Sequence, residues 1–260
     1  MSAFVSLENV SHAYAGAEGA PAVEGLSLDV EEGEFAAVVG PSGCGKSTLM
    51  KLATGLQFPF KGSVTVAGER VTHPVKIAGM AFQAPTLLPW RTTLDNLLLP
   101  LEIVQPYRGE MRRRKPEFAA RAETLLGSVG LRDQGRKFPW ELSGGMQQRA
   151  SLCRALIHEP KLLMLDEPFG ALDAFTREEL WCVIRDLHAS RKITVILVTH
   201  DLREAVFLAD RIFVMSARPG RVVVERRIEL PRPRDLEVTF TTQFQDIVHE
   251  LRAHIVKARQ

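Results

Sequence analysis

The sequence predicts an α/β protein in which helices cover both faces of a parallel β-sheet and a helical block interrupts the chain. Three observations lead to this prediction. Apolar strand-like runs at residues 162–165 and 193–199 lie on either side of a helical stretch near 175–189. Another apolar run, at 35–39, leads into a glycine-rich loop followed by a helical pattern. From residue 92 to residue 158 the pattern is mostly helical, with few runs of β-branched residues.

The composition is that of an ordinary globular protein. Of its 260 residues 45% are hydrophobic, and the net charge of +2 gives no strong field that would favour nucleic acid as a partner. The basic run at 112–115 is interpreted as a solvated face. Cys44, Cys153 and Cys182 lack CxxC spacing, so we expect no disulfide framework and no zinc site. We also expect no signal peptide and no membrane-spanning helix, which would leave any membrane to be crossed by another protein.

The glycine-rich loop carries the most specific local pattern. Residues 40–47, GPSGCGKS, match G-x-x-x-x-G-K-[ST] between a predicted strand and a predicted helix. Glycines let backbone N–H groups wrap a phosphate, and the positive end of the following helix points at the same anion. The pattern indicates a nucleotide phosphate without indicating which nucleotide. The residues expected to hold the phosphates are Gly40, Ser42, Gly43, Gly45, Lys46, Ser47 and Thr48.

Two acidic residues end the apolar strand at 162–165. Because ligands of open parallel sheets bind at the carboxyl ends of strands, Asp166 is expected to hold Mg²⁺ through its water shell, together with the Ser47 hydroxyl. Glu167 is then placed to orient or deprotonate the attacking water. The alternative is a turn that carries two solvated acids.

His200 and Gln83 each follow a predicted strand and are ambiguous alone. His200 is predicted to contact the γ-phosphate. The structural alternative makes His200 a turn residue and has Asp201 cap the next helix.

Residues 142–149, LSGGMQQR, resemble the signature sequence of ABC ATPases. Ser143 suits a helix N-cap, and Gly144 and Gly145 would expose backbone N–H groups, which makes a second anion-binding helix start. Nearly the whole chain resembles that family. The motifs occur in the family's order: Tyr14, the phosphate loop, Gln83, the signature, Asp166-Glu167, Ala171-Leu172-Asp173 and His200.

The resemblance implies a P-loop NTPase (RecA-like) core with an N-terminal antiparallel β subdomain and an inserted helical subdomain. Its expected boundaries are 1–85 and 160–225 for the core with the β subdomain, 86–159 for the helical subdomain, and 226–260 for a C-terminal linker and helix. It also implies that Tyr14 stacks on adenine and that Gln83 touches Mg²⁺ or the water. By the same resemblance Asp173 lies at a dimer seam. ATP and Mg²⁺ are the expected cofactors.

The stretch at 82–96 and the tail at 216–221 and 230–234 are similar to importers of the nitrate, sulfonate and taurine type, some of which import pyrimidine precursors. The resemblance implies several partners: integral-membrane permease subunits, a second copy of the chain in a head-to-tail dimer, and a periplasmic solute-binding protein. The expected location is the cytoplasmic face of the inner membrane, with no nucleic acid bound. Leu87 to Trp90 is either local core or a groove for a helix of the permease.

Two other functions remain open from the sequence. A soluble ABC ATPase acting on nucleic acid or ribosomes usually carries two cassettes or a long coiled coil. A small-molecule kinase with the same phosphate loop leaves residues 143–149 unexplained. In the tail, six apolar residues are predicted to share one helical face, which either packs on the core or binds a partner: Phe240, Phe244, Ile247, Val248, Leu251 and Ile255.

Overall fold

A computed structural model describes residues 3–14, 21–170 and 172–258. The chain forms two compact units. Unit 1 comprises Met1–Val75 and Leu187–Gln260, and unit 2 comprises Lys76–Asp186. The three-part domain division expected from the sequence stays a prediction. Within the described ranges, no helix has the length and apolar character that crossing a bilayer requires.

The strands, in chain order, are β1 (Val5–His12), β2 (Val23–Val30), β3 (Phe35–Val39), β4 (Lys61–Val66), β5 (Glu69–Arg70), β6 (Ala78–Ala81), β7 (Leu162–Asp166), β8 (Thr194–Thr199), β9 (Arg211–Met215) and β10 (Val222–Arg227). The helices are α1 (Lys46–Ala53), α2 (Thr93–Ile103), α3 (Tyr107–Ser128), α4 (Gly144–Leu156), α5 (Ala174–Arg191), α6 (Leu202–Leu208) and α7 (Thr242–Lys257). Short 3₁₀ turns occupy Pro139–Glu141 and Leu236–Phe240.

The first sheet of unit 1 is antiparallel, with strand order β2-β1-β4-β5. Val5 of β1 pairs with Val30 of β2 on one side and with Val66 of β4 on the other. Alternate residues of β2 are buried and exposed, as expected for a sheet with one wet face. The expected N-terminal antiparallel β subdomain is therefore confirmed.

The second sheet region of unit 1 is centred on β3, which pairs in parallel with β8 and with β9, while β10 runs antiparallel to β9. Every residue of β3, β8 and β9 is buried, which matches strands covered on both faces. Val39 at the end of β3 lies opposite Thr199 at the end of β8. The glycine-rich loop and His200 therefore leave the sheet at the same edge.

Unit 2 contains the parallel pair β6 and β7, in which Ala81 lies opposite Leu165. Gln83 lies just after β6, Asp166 is the last residue of β7, and Glu167 follows it. Because the two strands are parallel neighbours, all three residues lie at the same end of the pair. Residues 93–156 form α2, α3 and α4, joined by loops and one 3₁₀ turn. Buried leucines and a phenylalanine join α2, α3 and α4 into one core: Leu97, Leu98, Leu101, Phe118, Leu126, Leu152 and Leu156.

The C-terminal helix packs on unit 1. Phe244, Ile247 and Leu251 of α7 are buried, and α7 contacts α6 and β9, so the packing interpretation is confirmed for these three residues. Phe240 was wrongly assigned to the same face. The Thr241 hydroxyl accepts a hydrogen bond from the Phe244 amide and begins the helix at Thr242, which leaves Phe240 in the preceding 3₁₀ turn, 75% exposed.

Candidate active site

The loop after β3 has the strand–loop–helix context that the sequence predicts. Gly45 is the N-cap of α1 with φ 94° and ψ 11°. A Cβ at Gly45 would lie 2.6 Å from Val23 Cγ1 and 2.9 Å from the Ala22 carbonyl oxygen, so only glycine fits. Gly43 has φ 76°, yet a Cβ there would meet nothing within 4 Å. Gly43 therefore allows the positive φ, and the space beside its Cα is open.

Lys46 is buried and turned into its own loop. Its ammonium donates to the carbonyl oxygens of Gly40 and Pro41, each at 3.0 Å, and lies 3.8 Å from Cys44 Sγ. Burial raises the pKa of the Cys44 thiol, an effect that the nearby Lys46 charge partly opposes. The loop therefore carries a positive charge surrounded by backbone dipoles, which suits an anionic ligand.

Ser47 and Thr48 begin α1 and differ in exposure. Ser47 is exposed, whereas Thr48 is buried. The Tyr14 hydroxyl lies 3.1 Å from Thr48 Oγ1, and the Lys51 ammonium lies 5.5 Å from the centroid of the Tyr14 ring. Tyr14 is thus brought beside the start of α1, and its stacking on adenine stays a prediction. Lys51 was missed from the sequence, although it lies one helical turn after Thr48.

His200 is exposed directly after β8. Asp201 caps α6 and accepts from the amides of Arg203 at 2.8 Å and Glu204 at 3.4 Å. Thr199 Oγ1 donates to Glu204 Oε2 at 2.5 Å and accepts from the Asp201 amide at 3.0 Å. The structural role expected of Asp201 is therefore confirmed, and it leaves His200 at the sheet edge that carries the loop.

In unit 2, Gln83 and Glu167 are brought into contact. Gln83 Nε2 donates to Glu167 Oε2 at 3.2 Å. Asp166 is the last residue of β7 and is half-buried. Glu167 has φ 46°, a left-handed conformation that non-glycine residues adopt rarely and that recurs at functional sites. The chain bends sharply there, so the two acids do not simply alternate across the strand.

The signature forms the exposed start of α4. Ser143 is its N-cap, and its Oγ accepts from the Met146 amide at 3.3 Å. A Cβ at Gly145 would lie 3.2 Å from Leu172 Cδ2, which gives that glycine a packing role. A Cβ at Gly144 would meet nothing within 4 Å. The exposed tip at Ser143 and Gly144 therefore allows a ligand to approach the backbone closely.

Two side chains of α4 hold the segment around Gln83, and neither interaction was predicted. Gln148 Nε2 donates to the Phe82 carbonyl oxygen at 3.0 Å. Arg154 donates to the carbonyl oxygens of Pro85 at 2.9 Å and Thr86 at 2.8 Å. Burial lowers the pKa of Arg154. The signature helix thus fixes the backbone of the segment that follows Gln83.

The next stretch of this segment is organised by Asn96. Its side-chain nitrogen donates to the carbonyl oxygens of Leu88, Arg91 and Thr92 at 3.0–3.1 Å. Trp90 is 71% exposed, so it is not part of a local core. Ordered backbone with an exposed tryptophan suits an interface anchor.

Asp173 begins the region of α5. Its Oδ1 accepts from the Thr176 amide at 3.1 Å, and hydrogen bonds from Thr176 lower the pKa of the Asp173 carboxyl. Ala171, the first residue of the Ala-Leu-Asp motif, lies outside the described residues. The dimer seam expected at Asp173 stays a prediction.

The side-chain chemistry within each unit fits Mg²⁺. Unit 1 offers the Ser47 hydroxyl, and unit 2 offers the Asp166 carboxylate and the Gln83 side-chain amide. Each has a hard oxygen of the kind that accompanies a nucleotide-bound magnesium ion. In the ranges with assigned structure, no three or more His, Cys, Asp or Glu side chains cluster as they would around a protein-only metal site.

A buried parallel strand that runs through a glycine-rich, lysine-containing loop into a helix defines a P-loop nucleoside triphosphatase. Within this class, the exposed Ser-Gly-Gly start of α4 is the feature that resembles ABC ATPases. Residues 23–170 match the family model described as ABC transporter. The chain belongs to the ABC transporter family, and it is an ATP-binding ATPase of that family.

Three relatives illustrate the branch. The aliphatic sulfonates import ATP-binding protein SsuB of Bacillus licheniformis is 41% identical over 88% of this chain and 86% of its own length. The bicarbonate transport ATP-binding protein CmpD of Synechocystis is 44% identical over 90% and 82%. The taurine import ATP-binding protein TauB of Chromobacterium violaceum is 44% identical over 85% and 82%. The expected similarity to the sulfonate and taurine importers is confirmed.

The fold is also that of solved ATP-binding cassettes. A dimeric post-hydrolysis state of the cassette MJ0796 bound to ADP and Pi matches with a TM-score of 0.75 and 32% identity, over 87% of this chain and all of that one. Another dimeric structure of MJ0796 matches equally well. The predicted α/β cassette fold is therefore confirmed.

Proposed function

We propose that this chain hydrolyses ATP to power an ABC importer for a small solute, of the sulfonate, taurine, nitrate, bicarbonate or pyrimidine-precursor type. The observation that carries the proposal is the open helix start at Ser143 and Gly144. Packing does not require the glycine at position 144, because a Cβ there would touch no neighbouring atom. A glycine at such a position suits a backbone that must come close to a phosphate. The names of the relatives supply the class of solute.

The binding roles follow from local geometry and family membership. Tyr14 stacks on adenine beside α1. The phosphates are held by the loop backbone at Gly40, Ser42, Gly43 and Gly45 together with Lys46 and Thr48. Ser47, Asp166 and Gln83 hold Mg²⁺, which neutralises phosphate charge when it is bound.

Hydrolysis is assigned to Glu167 as the general base. Its carboxylate takes a proton from the attacking water, whose oxygen forms a bond to the γ-phosphorus while the bond to the ADP oxygen breaks. Gln83 holds that carboxylate through the 3.2 Å hydrogen bond. Lys46 and His200 stabilise the charge that develops on the transferring group and the leaving ADP.

The signature is proposed to act on a second copy of the chain. In a head-to-tail dimer, Ser143, Gly144 and Gly145 of one copy contact the triphosphate held by the partner. Hydrolysis removes the ligand that holds the two copies together and lets them separate. The dimeric state of MJ0796 supports this arrangement.

The membrane partners are integral-membrane permease subunits, with a periplasmic solute-binding protein delivering the solute. The chain then works at the cytoplasmic face of the inner membrane. The exposed Trp90, on backbone ordered by Asn96, is the proposed anchor for a short helix of the permease. Co-purification with a permease rather than with nucleic acid separates this proposal from a soluble ATPase that acts on nucleic acid.

The decisive experiment replaces the base. Glu167→Gln is expected to bind ATP but to hydrolyse it about 100-fold more slowly or worse, and to accumulate as an ATP-dependent dimer. Phosphate release and light scattering after gel filtration measure the two effects, with Glu237→Gln as the control. Turnover at the parental rate would show that the base is wrongly assigned. Phosphate release without an acceptor substrate argues against a kinase.

A further inference from the structure

The tail at residues 230–234, LPRPR, has no role in the proposed cycle. Two of its arginines, Arg232 and Arg234, reach the C-terminal end of α6. Arg234 is 1% exposed, although arginine is seldom buried without partners. The two arginines are called the tail clamp below.

The tail clamp donates hydrogen bonds to the backbone carbonyl groups at the C-terminal end of α6. Arg234 Nη1 donates to the carbonyl oxygens of Val206 at 3.0 Å, Phe207 at 3.1 Å and Ala209 at 2.7 Å. Arg232 Nη2 donates to that of Leu208 at 2.8 Å. The last four carbonyls of a helix lack intrahelical partners, and here residues 206–209 all receive one from the clamp. Two cations at this end also suit the helix dipole.

The clamp also ties α6 to the central strand. Arg232 Nε donates to Asp210 Oδ1 at 2.8 Å, and Asp210 Oδ2 accepts from the Phe35 amide of β3 at 2.9 Å. Burial lowers the pKa of Arg234 to about 10, which leaves it charged at neutral pH. The C-terminal end of α6 is thus fixed, through charged hydrogen bonds, to the strand that leads into the phosphate loop.

The other end of α6 begins at Leu202, two residues after His200. Asp201 is the helix cap, and the Thr199–Glu204 hydrogen bond holds the first turn against the end of β8. Helices shorter than about 12 residues are marginal on their own, and α6 has seven. Burial of residues 205–208 and contacts with α7, β3 and β8 hold its body, and the hydrogen bonds described here hold its two ends.

We infer that Arg232 and Arg234 are positioning residues for His200, acting through α6. The inference rests on the proposed γ-phosphate role of His200. The clamp's hydrogen bonds described above go to α6 and Asp210, so we expect it to affect the placement of the imidazole more than the binding of ATP. A tail beyond the family-matched region, which ends at residue 170, thereby takes part in setting the active site.

The test compares Arg234→Met with Arg234→Lys in the full chain. Arg234→Met is expected to lower kcat roughly tenfold while the KM for ATP stays within about twofold, because small displacements of a catalytic group reduce the rate steeply. Arg234→Lys keeps a charge but loses the planar fork, so its kcat should be intermediate. Arg226→Met is the control for loss of an arginine outside the clamp, since Arg226 pairs with Glu250 of α7. An unchanged kcat, or a KM that rises in parallel, would overturn the inference.

Combining the change with His200→Ala separates positioning from general destabilisation. If the clamp acts through His200, Arg234→Met should reduce kcat no further in the His200→Ala background. Full additivity of the two losses would overturn the inference. His200→Ala at the parental rate would instead remove the proposed role of His200, which is a different failure.

A spectroscopic measurement covers the case in which His200→Ala is too slow to assay. The ring signals of His200 in ¹H–¹³C NMR should shift or broaden in Arg234→Met and stay at the parental positions in Arg226→Met. The milder Arg232→Gln, at a partly exposed site, should do the same to a smaller extent. A His200 spectrum that is identical to the parent in both clamp variants would contradict the inference.

Discussion

The side-chain nitrogen of Gln83 lies 3.2 Å from a carboxylate oxygen of Glu167, although 84 residues separate them in the chain. The contact follows from topology, because β6 and β7 are parallel neighbours and each residue follows one of them. An amide that donates to a carboxylate holds it in one orientation. Gln83 is therefore placed to control the proposed base directly.

Gln83→Ala should lower kcat about tenfold and leave the KM for ATP nearly unchanged, since a hydrogen bond to a charged group is lost. Steady-state phosphate release as a function of ATP concentration measures both constants. Gln243→Ala, on the exposed side of α7, is the control. A larger effect on KM than on kcat would mean that Gln83 chiefly binds the nucleotide.

The two signature glycines should respond differently to alanine. Gly144→Ala introduces a methyl group into open space, so the thermal midpoint should stay the same or rise, while ATPase activity falls at least about tenfold. Gly145→Ala meets Leu172 Cδ2 at 3.2 Å and should cost about 1 kcal/mol of stability. Calorimetry and phosphate release on both variants separate packing from ligand approach. Full activity in a stable Gly144→Ala protein would remove the argument for an open tip.

The ring and the hydroxyl of Tyr14 should contribute unequally to ATP affinity. Tyr14→Ala is expected to raise the Kd for ATP about tenfold by removal of a stacking surface. Tyr14→Phe should raise it by only about twofold, because it loses the Thr48 contact alone. Lys51→Met, which removes the cation over the ring, should raise it by about threefold. Titration with a fluorescent ATP analogue, competed with ATP, orders the three variants, and equal effects of Phe and Ala would refute the stacking role.

Acid should destabilise unit 1 partly through His188. Burial lowers its pKa below the ordinary 6.5, and its ring nitrogen donates to the Gly33 carbonyl oxygen at 2.9 Å. The unfolded chain therefore takes up a proton at a higher pH than the folded one. Stability is fully present above about pH 6.5 and is lost as the pH falls through the lowered value. His188→Gln should show a shallower loss of stability between pH 7 and 5 in urea titrations than the parent, and an identical slope would contradict this.

The features that could be predicted from the sequence are those whose geometry is set by residues close together in the chain. The loop at Lys46, the helix cap at Ser143 and the acids after β7 follow from short patterns whose geometry is local. The hydrogen bonds from Arg154 to Thr86 and from Arg234 to the end of α6 were not predicted, because each spans 25 residues or more to a backbone oxygen and leaves no pattern in the sequence. Strands β9 and β10 were also missed, since they follow the last recognisable motif.

The bonds from α4 to Phe82, Pro85 and Thr86 have a mechanical consequence. Arg154 lies near one end of the helix and Ser143 at the other, a separation of about 16 Å at 1.5 Å per residue. A single helix therefore connects the surface segment that follows Gln83 to the helix start that is proposed to contact a phosphate. A displacement of the backbone at Pro85 and Thr86 would therefore move Ser143 together with the rest of α4.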